Sequence, residues 1–223
     1  MDFIITRGEE TVISAAVLNS VVLMILLCLF FIWAGTKVKK ADPLAPSKGI
    51  VFFVELLVTS FDGICKGIMN DKLGRFGPFI GCLIIYLTLA NLLGLFGLTA
   101  PTSNYNVTLG LAIFALGYMV ASGIKTKGVG GYLKDTFIGD FPALFLLNVI
   151  GELSKVVSLS LRLFGNVVSG AMITAVILYL IGGFGIIVMP VLNFYFDIFA
   201  GVIQTVIFSF LMMIWIQDAV ATD

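Results

Sequence analysis

Long runs without a charged residue constrain this chain most. No Asp, Glu, Lys or Arg occurs in residues 76–124, 163–196 or 198–217. A helix needs roughly 20 apolar residues to cross the hydrocarbon core of a bilayer, and these runs are long enough. Of all residues, 60% are hydrophobic and 12% are charged, about half the charged fraction of a soluble domain. The sequence therefore predicts an all-α integral membrane protein that has the lipid bilayer as its solvent.

The charged and reactive residues exclude several classes of function. Thirteen basic residues balance thirteen acidic ones, so no basic surface predicts binding to nucleic acid. The chain has no histidine, and it contains no phosphate-binding loop, no nucleophile elbow and no zinc-protease motif. Its three cysteines are isolated and match no disulfide or metal spacing. We therefore predict a protein that is not an enzyme by itself and that has no cofactor and no metal site.

Lysines after the first apolar run predict its orientation. Residues 1–10 are acidic rather than basic, and the run at 11–35 is too long for a cleaved signal, so it reads as a retained helix. Lys37, Lys39, Lys40 and Lys48 follow this helix against a single acid, Asp42. Positive charge marks the cytoplasmic side, which places the N-terminus outside.

Residues 50–69 form a less regular segment. Glu55, Thr59, Asp62 and Lys66 recur at helical spacing and put a polar stripe on one face. This pattern favours an amphipathic helix in the membrane interface over a spanning helix, and it keeps the next basic residues cytoplasmic.

Two helical hairpins account for the rest of the chain. Residues 76–124 read as two spans joined by an uncharged, turn-rich loop. In the first span, the spacing of Gly77 and Gly81 permits close approach of another helix, with a chance spacing in this glycine-rich chain as the alternative. A flexible, glycine-rich basic loop follows. Residues 141–217 form the second hairpin, with Pro190 opening the last helix. A single helix over 144–181 would be about 57 Å long, against a hydrocarbon core of about 30 Å. The chain therefore has about five spanning helices, of which the last two are long and strongly tilted.

Arg162 is the residue that most needs a functional explanation. An arginine at mid-membrane costs at least about 2.5–3.5 kcal/mol and stays charged. Glu152 lies ten residues away, too far along the helix to pair with it, and Lys155 repels it. The partner must lie on another segment or another chain, and an internal pair with Asp197 remains open.

Polar side chains form two stripes in otherwise apolar helices. Such stripes indicate water-filled paths for ions, although hydrogen bonding between helices is the alternative. Glu152 and Lys155, three residues apart, are expected to pair with each other. The first stripe contains Lys155, Ser158, Arg162, Asn166 and Ser169, and the second contains Asn193, Asp197 and Gln204.

The residues around Arg162 resemble a known family. The motif Leu161-Arg162-Leu163-Phe164-Gly165-Asn166, after Glu152-Leu153-Ser154-Lys155, is similar to the arginine-bearing helix of the a subunit in the membrane (Fo) sector of bacterial F-type rotary ATP synthases. Further resemblances follow in the family's order from about Pro46 to Gln217, at residues 91–95, 101–109, 125–132 and 195–204.

The resemblance implies a stator subunit that carries H+ or Na+ through two offset half-channels and thereby couples ion flow to ATP synthesis. Arg162 would attract the membrane carboxylate of each c subunit as the c-ring rotates, with Asn166 and Gln204 beside this contact and Asp197 lining the outer channel. Ser158, Asn193 and Glu152 complete the expected ion path. The implied partners are the c-ring, the peripheral stalk b subunits and the other synthase subunits in a bacterial plasma membrane, with the C-terminus cytoplasmic.

This sequence also departs from the family pattern. Ala171 and Asn148 stand where many or some members carry a carboxylate, and Asp197 stands where many carry histidine or glutamate. The surroundings of Glu152 and Asp197 resemble those of sodium-translocating members, which favours Na+ slightly. The competing readings are an ion-coupled secondary transporter, which usually shows repeated halves, and a non-conducting membrane scaffold.

Overall fold

Helices make up almost all of the structure, a computed structural model that describes residues 5–7, 10–40, 49–69, 76–138, 145–182 and 185–221. An antiparallel ribbon of β1 (Ile5–Arg7) and β2 (Glu10–Ile13) precedes them. The seven α-helices are α1 (Ala15–Lys39), α2 (Ile50–Ile68), α3 (Gly77–Leu92), α4 (Tyr105–Leu133), α5 (Phe145–Ile181), α6 (Gly185–Asn193) and α7 (Gly201–Val220). Short 3-10 turns at Leu93–Phe96 and Pro101–Ser103 join α3 to α4. π-helical turns at Lys134–Ile138 and Phe194–Ala200 follow α4 and α6.

Five helical stretches of the described chain are long and apolar enough to cross a membrane: Ala15–Lys39, Gly77–Phe96, Tyr105–Ile138, Phe145–Ile181 and Ile187–Val220. The prediction of an all-α membrane protein with five spanning helices is confirmed. Helix α2 is not one of the five, as expected, and its position in the interface stays a prediction. Helix α5 has 37 residues and is therefore about 55 Å long.

The core lies between α3, α4 and α7, and α5 packs one face against it. The side chains of Leu87, Phe208 and Met212 are fully buried there. From α5, Leu159 and Leu163 reach the same core. These two residues are four apart and so share one face of α5, which leaves the opposite face open.

Helix α1 is held to the bundle by a few polar contacts. The hydroxyl groups of Ser20 and Tyr86 lie 2.7 Å apart, and Asn19 donates a hydrogen bond to the carbonyl of Thr99 at 2.9 Å. Most of its apolar side chains are exposed, such as Ile32 at 66%. In a bilayer these side chains face lipid.

Helix α2 docks on α3 through the small residues Gly77 and Gly81. A Cβ atom at Gly77 would lie 2.7 Å from Oδ1 of Asp62, and one at Gly81 would lie 2.9 Å from the ring of Phe61. Asp62 also pairs with Lys66 at 3.2 Å. Its carboxylate thus lies beside the first turn of α3, where the helix dipole favours negative charge.

Three boundaries differ from the prediction. Residues 11–13, predicted as the start of the first helix, lie in β2, and the β-branched side chains of Thr11, Val12 and Ile13 favour a strand. Pro190 lies inside α6, which begins earlier, at Gly185, so Pro190 does not open the last hairpin arm. 

The predicted basic loop after residue 124 is the third difference. Helix α4 continues to Leu133, with a break at Gly128, whose φ of 75° is readily adopted only by glycine. The chain beyond the break folds back, so that the buried Tyr132 packs on Gly123, and Lys127 pairs with Asp135. These contacts replace the flexible loop by an ordered turn.

Candidate functional site

Arg162 lies at the middle of α5, 17 residues after Phe145 and 19 before Ile181. At 1.5 Å per residue it is about 25 Å or more from either end of the helix. Its side chain is exposed on the surface of the chain rather than buried in it. No ion pair or hydrogen bond to Arg162 occurs within the described residues. Arg162 and Asp197 are both described, so the internal pair that the sequence left open is wrong.

The face of α5 around Arg162 is apolar and uncovered. Leu161 is 51% exposed and Val157 is 49% exposed, whereas Leu159 and Leu163 on the other side are buried. Ser158, one turn before Arg162, is exposed on the same open face. We call this surface the open face of α5. A permanent cation in such an apolar surface needs an anionic partner from outside the chain.

Asp197 lies in the π-helical turn Phe194–Ala200, which we call the π segment. Its half-buried side chain lines a cavity of about 380 Å³ between the end of α3, the loop from α3 to α4, α5 and the π segment. Asn166 lines the same cavity, so the structure brings these two predicted residues together. The other polar lining residues are Asn91, Thr99, Ser103 and Thr174.

The 3-10 turn that follows α3 approaches Asp197 closely. A Cβ atom at Gly94 would lie 3.0 Å from Oδ2 and 3.1 Å from Oδ1 of Asp197. The absence of a side chain at Gly94 is therefore what leaves room for the carboxylate.

Gln204 does not lie with Asp197, contrary to the predicted stripe. Residues seven apart share a face in a regular α-helix. The π segment separates these two, and Gln204 is buried, at 5% exposed, and is not among the cavity residues. Its Nε2 has no hydrogen-bond partner within the described residues. The third member of the stripe, Asn193, belongs to α6 by its backbone, and its side chain lies outside the described part of the structure.

Glu152 forms the predicted pair with Lys155, at 2.5 Å. The Lys155 ammonium group also lies 5.8 Å from the centre of the Trp215 ring, which ties the pair to α7. The second carboxylate oxygen of Glu152 is buried and has no hydrogen-bond partner among the described residues. Glu152 is thus anchored almost three turns from Arg162, away from the cavity of Asp197.

A buried polar network at Asn91 was not predicted as part of the site. The Asn91 amide donates to the carbonyl of Gly201 at 3.1 Å and lies 3.5 Å from the hydroxyl of Thr205, and Thr102 donates to its Oδ1 at 3.0 Å. The available signal was a single asparagine within the apolar run of α3, since a polar group in such a helix requires partners.

Within the described residues, no three side chains of His, Cys, Asp or Glu come together. Apart from Arg162, the chemistry near the cavity is that of one carboxylate, amides and hydroxyl groups, which suits a passing cation better than a bound cofactor.

Comparison with known proteins adds an independent finding. The sequence model of the family described as ATP synthase A chain matches residues 17–217. ATP synthase subunit a 2 of Acaryochloris marina is 34% identical, over 76% of this chain and 71% of its own length. ATP synthase subunit a of Legionella pneumophila (strain Paris) is 33% identical, over 93% of this chain and 87% of its own. The sodium ion specific ATP synthase subunit a of Propionigenium modestum is 26% identical, over 93% and 74%.

Proposed function

Because this chain belongs to the ATP synthase A chain family, we propose that it is the stator ion-channel subunit of an F-type ATP synthase. It carries H+ or Na+ to and from the carboxylates of a rotating c-ring and catalyses no reaction itself. The observation that carries the proposal is Arg162, a permanent cation at the middle of the longest helix and on the open face of α5.

Arg162 supplies the electrostatic step. A nearby cation favours the ionised form of a carboxyl group, so a c-ring carboxylate that reaches Arg162 releases the ion it carries. After it moves past Arg162 it takes up another ion, because an unpaired charge is costly in the apolar membrane. The fixed positive charge also repels free cations and prevents leakage between the two half-channels.

The cavity at Asp197 is the outer half-channel in this proposal. It is lined by Asp197 and Asn166 and also by Thr99 and Ser103, which belong to the loop predicted to lie outside. Asn193 precedes Asp197 by four residues in the sequence and is assigned to the same path by the resemblance alone. An ion from outside would reach the c-ring through this polar cavity.

The inner half-channel runs along the first half of α5. Glu152 with its free carboxylate oxygen and Ser158 on the open face mark this path from the cytoplasmic side. Gln204 of α7, whose Nε2 has no hydrogen-bond partner among the described residues, is assigned to the ring contact by the resemblance. The two paths thus approach Arg162 from opposite ends of α5, as offset half-channels require.

The chain is a multi-pass membrane protein, and we assign it to a bacterial plasma membrane with its N-terminus outside and its C-terminus cytoplasmic. Lys37 and Lys39 at the end of α1, and Lys125 and Lys127 near the end of α4, then lie on the same cytoplasmic side. Residues 1–10, 11–35, 50–69, 76–124 and 141–217 remain the proposed outer N-terminus, first helix, interfacial helix and two hairpins of one membrane domain. In the assembly the open face of α5 meets the c-ring, and the peripheral stalk b subunits hold the chain in place.

The test is the variant Arg162→Ala in the whole complex, reconstituted in vesicles. We expect ATP-driven ion uptake to fall to background while ATP hydrolysis by the soluble sector continues. The matched control is Leu161→Ala, which removes apolar surface from the same open face but no charge, and which should retain uptake. Uptake by Arg162→Ala at the level of the control would disprove the assignment.

A further inference from the structure

The π segment is an irregular turn within the last hairpin arm, and it separates the residues that α-helical spacing would align. A π-helix closes its hydrogen bonds from i to i+5, and each such turn contains an additional residue. One residue corresponds to about 100° of rotation about the helix axis. The π segment therefore sets the angle between Asp197 and Gln204, of which the first lines the cavity and the second is buried elsewhere.

Two asparagine side chains from different helices hold the end of this segment. Asn166 of α5 donates from Nδ2 to the carbonyl of Ala200 at 3.3 Å. Asn91 of α3 donates from Nδ2 to the carbonyl of Gly201 at 3.1 Å. Ala200 and Gly201 are adjacent, and they form the junction between the π segment and α7. The junction is thus fixed from two sides.

The Asn91 amide is itself oriented by its neighbours. Thr102 donates to its Oδ1 at 3.0 Å, which turns the Nδ2 group toward Gly201. The whole group is buried, with Asn91 at 5% exposed and Thr102 at 2%. Hydrogen bonds that are largely shielded from water are stronger than exposed ones, so this contact anchors the junction.

Glycines permit the close contacts that the two asparagines require. A Cβ atom at Gly170 of α5 would lie 3.0 Å from the ring of Phe196, and one at Gly201 would lie 3.0 Å from Cβ of Asn91. The backbone and side chains of the π segment therefore pack directly against α3 and α5, within hydrogen-bond reach of the amides.

We propose that Asn91 and Asn166 are positioning residues that clamp the π segment and thereby hold Asp197 in the cavity while Gln204 stays out of it. The consequence for ion transport rests on the proposed function, but the geometry of the clamp does not. Without the two donors, the segment loses the contacts that favour the π turn over a regular helix, and Asp197 and Gln204 rotate relative to each other.

The experiment measures this rotation without measuring transport. In the assembled complex, with Cys28, Cys65 and Cys82 changed to serine, Asp197→Cys is labelled with a cationic, membrane-impermeant methanethiosulfonate reagent. Asn166→Leu and Asn91→Leu should each lower the labelling rate by about tenfold, because thiol reactivity follows exposure. Gln204→Cys, unreactive in the parent, should become reactive in the same two backgrounds.

Asn148→Leu is the matched control. Asn148 is also half-buried on α5 and donates to a backbone carbonyl, that of Phe137, at 3.2 Å, outside the π segment. This variant should change the rates by no more than about twofold. If Asn91→Leu does not assemble, Asn166→Leu decides alone, since Asn166 is only half-buried. If the labelling rates in Asn166→Leu equal those in Asn148→Leu, the clamp proposal is wrong. This conclusion does not depend on whether Arg162→Ala abolishes ion uptake.

Discussion

Gly94 leaves the space that the Asp197 carboxylate occupies, since a Cβ atom at Gly94 would lie 3.0 Å from Oδ2 of Asp197. This relationship joins the 3-10 turn after α3 (Leu93–Phe96) to the last hairpin arm across the proposed outer half-channel. Such a separation is shorter than ordinary van der Waals contact, and a side chain at residue 94 must displace the carboxylate.

The first prediction follows for Gly94→Ala. We expect ATP-driven ion uptake to fall by about tenfold, corresponding to about 1.4 kcal/mol in the transport step, while ATP hydrolysis continues. Gly117→Ala is the control, because a Cβ atom there meets nothing within 4 Å in the middle of α4. Equal uptake by the two variants would mean that the position of the Asp197 carboxylate does not limit transport.

The second prediction concerns the turn after α4. Gly123→Ala would push a methyl group into the ring of Tyr132 and to within 3.1 Å of the backbone carbonyl of Ala219, which cannot move aside easily. Overpacking of this kind costs about 1–3 kcal/mol. The variant should therefore lower the unfolding temperature of the purified complex and the amount that assembles. Gly110→Ala, at a position with open space around it, should leave the unfolding temperature and the assembled amount unchanged. If both variants lower the unfolding temperature, the clash with Tyr132 is not the cause.

The third prediction concerns the pair of Glu152 and Lys155, whose side chains are only 18% and 28% exposed. Lys155→Met leaves the Glu152 carboxylate without its cation, so stability should fall, and the double variant with Glu152→Gln should recover part of the loss. In a double-mutant cycle we expect a coupling of about 0.5–3 kcal/mol, measured from thermal unfolding of the complex. A coupling near zero would show that the pair does not contribute to the stability of the complex.

Helix α5 and Arg162 could be predicted from the sequence because their signals are local. The length of an apolar run and the cost of a charge within it depend only on the neighbouring residues and the bilayer. The spacing of Gly77 and Gly81 indicated close approach of another helix, with chance spacing as the alternative, but it did not indicate that this helix is α2. The pair of Glu152 and Lys155 likewise depends on a separation of three residues within one helix.

The π segment could not be predicted in this way. Asp197 and Gln204 are spaced as one helical stripe, and the additional residue that separates them is stabilised by Asn91 and Asn166, which lie far away in the sequence. The break at Gly128 is similar, because a glycine permits a positive φ but does not require it. What decides there is the packing of Tyr132 on Gly123, a contact made only after the chain has turned.

The fourth prediction concerns the transported ion, for which we expect Na+. The cavity offers the Asp197 carboxylate with amide and hydroxyl oxygens, which are ligands that a hard cation prefers. In vesicles that hold the purified complex, ATP-driven Na+ uptake should persist or rise when a protonophore removes the proton gradient, because the electrical potential no longer opposes it. Arg162→Ala vesicles give the background. Absence of Na+ uptake, together with acidification that the protonophore abolishes, would show that the subunit carries protons and that Asp197 serves as a proton-transfer group instead of a sodium ligand.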